Sequence, residues 1–125
     1  MANIKKIEPL SEWVSFELDT TILDPPVFKV RMEPIDMARI TFLVADGKRD
    51  IMEVQKELII IAIKEWDLAF NGEVIPCTDE KKKEYGSTLR FILGRSLKSE
   101  DKDHPKFLLN ELLEFASNDE TFLKN

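Results

Sequence analysis

The chain has 125 residues, 43% hydrophobic and 34% charged, a balance that suits one globular domain with a core of its own. A net charge of −6 and a pI near 4.9 argue against a nucleic-acid binder, because phosphate contacts need a clustered positive surface. The single cysteine, Cys77, excludes an intrachain disulfide and fits a reducing compartment, and no apolar run approaches the ~20 residues of a membrane-spanning helix.

Residues 1–9 hold two lysines with no long apolar run after them, so they read as a loose N-terminal arm or a short edge element and not as a signal peptide. Trp13–Leu18 alternates, with Val14, Phe16 and Leu18 on the core face. Asp24-Pro25-Pro26 marks a loop, because each proline lacks a backbone donor. In Val27–Met32, Phe28, Val30 and Met32 alternate with Lys29 and Arg31. The two segments suit an antiparallel hairpin with a long connection, whose outer faces set acid on one strand against base on the other.

Glu33-Pro34 opens a new element. Proline is tolerated in the first helical turn, and Asp36 there favours the dipole. Met37, Ile40, Phe42 and Val44 fit an amphipathic helix, although Ile40–Val44 also suits a strand; a helix ending at Asp46-Gly47 is the expectation. The most apolar helical candidate follows, from about Arg49 to Trp66 or as far as Phe70. Its projection gathers Arg49, Glu53, Lys56, Glu57, Lys64 and Asp67 on one side, with an apolar face covering more than half the circumference. So wide a face implies wrapping by several elements or sharing with another subunit. Ile60 falls in the middle of the charged side, where it is either an ordinary exposed isoleucine or an interface residue.

Asn71-Gly72 is a strong turn signal, and Glu73–Pro76 reads as extended. Thr78 is a good N-cap, with Asp79 and Glu80 at the positive end of the next helix. Glu80 and Glu84 flank Lys81-Lys82-Lys83, which reads as a solvated helix face. Tyr85, Leu89, Ile92 and Leu93 continue the stripe, and Gly86 weakens it. His104-Pro105 opens a last helix, Lys106–Ser117, with His104 in a capping role and Phe107 beside the apolar stripe. Residues 118–125 read as a mobile tail holding Phe122 and Leu123. The expected fold is α+β in a single domain: an N-terminal antiparallel β-hairpin followed by about four α-helices, mostly helical.

The residues give no positive support for catalysis. Cys77 and His104 could meet only through folding, and neither sits in a nucleophile motif. Glu100, Asp101, Asp103 and His104 lack the calcium-loop pattern and its glycine, so a solvated acidic loop is favoured over a metal site. Glu111 and Glu114, a pair of carboxylates, lie on solvent-facing helix positions. No catalytic, cofactor-binding or metal-binding residue is expected.

The run from Trp66 to Glu80, Trp-Asp-Leu-Ala-Phe-Asn-Gly-Glu-Val-Ile-Pro-Cys-Thr-Asp-Glu, resembles the tail assembly chaperones of tailed bacteriophages. Such proteins carry a Trp with an acidic neighbour at a helix end, a short Gly turn, an apolar-Pro pair, and Thr with an acidic residue opening the next helix. The order of elements around the run also fits. Every residue of the run has a structural explanation as well, so it speaks for a fold first and a function second. The resemblance implies a non-enzymatic protein of the bacterial cytoplasm, absent from the mature virion. It would keep the tape measure protein soluble and promote tail-tube assembly, with the tail tube protein as a further partner and with self-association. The alternatives are another phage morphogenesis protein, such as a tail completion or connector subunit, or a small regulator of a host protein. No binding residue carries over from the family. Helical projection alone picks Ile60, Phe107, Phe122 and Leu123 as exposed contact candidates.

Overall fold

Alternation in the two N-terminal segments builds the sheet. The computed structural model describes residues 1–45, 47 and 49–123. Strands β1 (Val14–Glu17) and β2 (Val27–Met32) pair antiparallel, Val14 opposite Val30 and Phe16 opposite Phe28. Phe28, Val30 and Met32 are buried on one face and Lys29 is exposed on the other. The charges are matched differently from the expected acid-against-base hairpin. Arg31 reaches Glu65 on a third strand at 3.2 Å, Glu17 pairs with Lys98 at 3.2 Å, and the Lys29 ammonium lies over the Trp13 ring.

Helix α1 (Met37–Val44) starts where Asp36 accepts a hydrogen bond from the Ala38 amide at 2.9 Å, so Asp36 is the cap itself. It buries Ile40 and leaves Phe42 79% exposed. Of its expected stop signal, Gly47 has φ +70° and Asp46 lies outside the described residues. Helix α2 (Ile51–Ala62) is capped by Asp50, whose side chain accepts from the Glu53 amide.

The central helix does not run to Trp66. It stops at Ala62, and strand β3 (Ile63–Trp66) pairs antiparallel with β2, giving the order β1-β2-β3. The physical reason lies in β2, whose second edge would otherwise leave backbone groups without partners. Pairing Ile63–Trp66 there fills that edge and buries both Ile63 and Trp66, and the β-branched Ile63 suits a strand.

The expected helix after Thr78 is divided at Tyr85 into α3 (Asp79–Glu84) and α4 (Gly86–Leu93). Thr78 caps α3 by accepting from the Lys81 amide at 3.2 Å. After α4, Leu97 bridges to Leu18, the residue that follows β1, and the chain then enters α5 (Leu108–Ser117). His104 does not cap α5. It is exposed and 3.2 Å from Asp101, while Phe107 takes the cap position without a side-chain bond.

Residues 118–123 are not a loose tail. Asn118 caps the short helix α6 (Asp119–Phe122) by accepting from the Glu120 amide. The N-terminal arm meets it: the Glu8 amide donates to the Phe122 carbonyl at 2.7 Å, and Ile7 bridges to Leu123. Lys124 and Asn125, the end of the expected tail, lie outside the described residues. The fold is α+β, a hairpin followed by helices, with one core cluster running from Phe28 and Val30 through Ile59 and Leu89 to Leu112.

Candidate protein-docking surface

The run from Trp66 to Thr78 forms one wall of a cleft. Asn71 (φ +50°) and Gly72 (φ +80°) both take the left-handed conformation that a tight two-residue hairpin turn needs. Strands β4 (Ala69–Phe70) and β5 (Glu73–Val74) flank the turn, Ala69 opposite Val74 and Phe70 opposite Glu73. Two bonds fix the base of this small hairpin. The Ile75 amide donates to the Leu68 carbonyl at 2.9 Å, and the Trp66 indole Nε1–H donates to the Ile75 carbonyl at 2.6 Å. The indole thus ties the hairpin to the end of β3 while its ring is buried.

The opposite wall is Tyr85 with Thr88 and Leu89 of α4, and Ile22 of the β1–β2 connection closes a side. The cleft holds about 270 Å³, and no charged side chain lines it. Phe70 is 60% exposed at its mouth, and Ile22 is also exposed. Val74, on the other face of the hairpin, is more exposed still. A cleft of this size suits large side chains of a partner and falls below the usual range for a drug-sized ligand.

A second hollow, about 360 Å³, lies where α2 meets α3 and α4. Its principal feature is Lys82. The lysine run was expected to be solvated, and Lys82 is instead buried. Its ammonium donates to the carbonyls of Ile61 and Ile63, at the junction where α2 becomes β3. A helix end leaves carbonyls without partners, and a cation there also meets the negative end of the dipole. Burial pushes the Lys82 pKa down. Cys77 lies against the same junction, its thiol 3.8 Å from the Ile63 carbonyl. Burial raises the Cys77 pKa, opposed chiefly by the nearby Lys82 charge, so the thiol stays protonated near neutral pH and is a poor nucleophile. Among the described residues no group of three or more His, Cys, Asp or Glu side chains could hold a metal, and no helix is long and apolar enough to cross a membrane.

The four contact candidates fall apart in space. Ile60 is 8% exposed and joins the core. Its projection onto the charged side is right for α2 alone, but α3 and α4 pack across that side, with Arg90 reaching Glu53 and Arg49 pairing with Glu57 around it. Phe122 is 3% exposed, its ring 6.5 Å from that of Phe115. Leu123 is half-buried against the N-terminal arm. Only Phe107 is exposed as expected, and it lines neither hollow. Ile60 and Phe122 are therefore corrected from surface positions to core positions. The part of the apolar face of α2 that holds Val54, Ile59 and Ala62 is covered within the chain by α1, α4, α5 and β3, while Ile51, Met52 and Ile61 stay half exposed.

The cleft residues were missed as a surface, although one signal was present. A two-residue Asn-Gly turn implies a hairpin, and a hairpin places Phe70 directly beside Glu73 at a projecting tip. Comparison with protein-family models, with curated proteins and with solved structures finds no match to the chain.

Proposed function

We propose that the protein is a non-catalytic assembly chaperone of a phage tail, acting in the bacterial cytoplasm on the tape measure protein and absent from the finished virion. The observation that carries this reading is the apolar cleft with Phe70 exposed at its mouth, on a hairpin held rigid by the Trp66–Ile75 bond. Exposed apolar surface grouped around a concavity marks a binding site. The same run, Trp66 to Glu80, carries the resemblance to tail assembly chaperones. Such a chaperone would cover exposed apolar segments of the tape measure protein until the tail tube forms around it, with the tail tube protein as a second partner and self-association along the target.

Co-expression tests the reading. A tape measure protein co-expressed with this chain should become soluble and co-purify with it. Unchanged solubility without co-purification refutes the proposal. Mass spectrometry of purified particles separates the chaperone from a tail completion or connector subunit, since a structural subunit remains in the virion.

A further inference from the structure

We infer that the cleft between the β4–β5 hairpin and α4 receives the apolar face of a basic amphipathic helix from a partner protein. The inference names the docking site and the partner chemistry for the chaperone reading, and it rests on that reading only for the identity of the natural partner.

Three observations select this occupant. First, the lining is apolar apart from Tyr85 and Thr88, and its volume of about 270 Å³ fits side chains. Second, the acidic residues flanking it are unpaired. Asp24 follows the lining residue Leu23, and Glu73 stands opposite Phe70 on the same side of the hairpin. Both are exposed, and neither has an ion-pair partner among the described residues. Two lysines close in sequence to the lining are engaged elsewhere, Lys64 with Glu33 at 3.5 Å and Lys81 with Glu84 at 3.2 Å. Third, β4 and β5 have two residues each, too short an edge for a partner to add as a strand. Helix-in-groove docking remains, with apolar anchors at helical spacing in the cleft and Lys or Arg beside them facing Asp24 and Glu73. A second copy is the poorer occupant, because the chain itself carries a net charge of −6.

The test uses the whole protein and a defined probe. The probe is a fluorescein-labelled peptide of about 18 residues, long enough to hold a helix, with Leu at i, i+3, i+4 and i+7 and Lys elsewhere. Its counterpart carries Glu for Lys. Fluorescence anisotropy at low and high salt should give the basic peptide at least about tenfold tighter binding than the acidic one. Thr88→Trp fills the cleft from an exposed helix position and should weaken binding about tenfold. The double variant Asp24→Asn/Glu73→Gln should flatten the salt dependence. Phe70→Asp provides a second block, and Phe107→Ala should change nothing. Urea midpoints equal to wild type confirm that the variants fold.

Equal binding of both peptides, or wild-type binding by folded Thr88→Trp and Phe70→Asp, overturns the inference. So does a sedimentation experiment in which Thr88→Trp abolishes self-association and the peptide does not compete with it, for then the occupant is a second copy. The chaperone reading is separable. If both cleft variants still solubilise the tape measure protein, the docking site is wrong and the chaperone stands. If peptide binding passes and the wild type solubilises nothing, the reverse holds.

Discussion

Replacing Lys82 with methionine keeps the apolar stem and removes the ammonium. The wild-type ammonium donates to two carbonyls, of Ile61 and Ile63, and the variant leaves both without that donor. Hydrogen bonds from a charged donor contribute about 1.5–3 kcal/mol each. Against that sum stands the desolvation of a buried cation, which the lowered Lys82 pKa reflects and which the methionine avoids. The Cys77 thiol, 3.8 Å from the Ile63 carbonyl, is too weak a donor to replace it. A net loss of about 2–3 kcal/mol is expected, a fall in Tm of about 8–12 °C for a chain of this length. Urea unfolding followed by tryptophan fluorescence gives the free energy, and thermal melts by circular dichroism give Tm. Lys83→Met, at an exposed neighbour, is the control and should lie within about 0.5 kcal/mol of wild type. A Lys82→Met protein as stable as wild type, or more so, refutes the reasoning. It would mean that pairing of β3 with β2 alone sets the end of α2.

Adjacent isoleucines should behave oppositely: Ile60→Ala costs about 2–4 kcal/mol, while Ile61→Ala, at a half-exposed position, costs less than about 0.5 kcal/mol, both read from urea midpoints. Phe122→Ala should cost about 3 kcal/mol and raise amide exchange at Glu8, whose amide donates to the Phe122 carbonyl. Because the Cys77 pKa is raised in the fold, the folded state holds its proton longer than the unfolded chain, and stability falls as pH rises above 9.0. Cys77→Ser should remove that part of the alkaline loss. Lys82 has the opposite sign. Its lowered pKa makes stability rise with pH toward 10.5, so Lys82→Met should lose more than wild type over the same range.

What could be read from sequence was local. Phe28, Val30 and Met32 alternate, and they are buried together on β2. Asn71-Gly72 turns, Thr78 caps, and both act through residues within a few positions of themselves. The four expected helices are all present, with Tyr85 dividing one of them. The failures were all decisions made by distant residues. Leu58–Ile63 is apolar without a period, so nothing in it marks the change from helix to strand; the open edge of β2 makes that choice. Ile60 sits among charges on its own helix, and only the crossing of α3 and α4 buries it. Lys82 looks like its two neighbours in the run until the end of α2 is placed against it. The cleft depends on three separate segments, of which only the hairpin could be inferred from its turn.

The clasp between the two ends of the chain has a practical meaning. With the Glu8 amide bonded to the Phe122 carbonyl and Ile7 bridged to Leu123, the path of the backbone is almost a closed ring. Joining the ends with a short linker and opening the chain beside the exposed Gly47, between α1 and α2, should give a circular permutant with the same fold. A cargo joined before Ile7 or after Leu123 would leave from a single corner of the molecule. That corner shares no lining residue with the cleft, so a fusion there leaves the cleft's own walls unaltered.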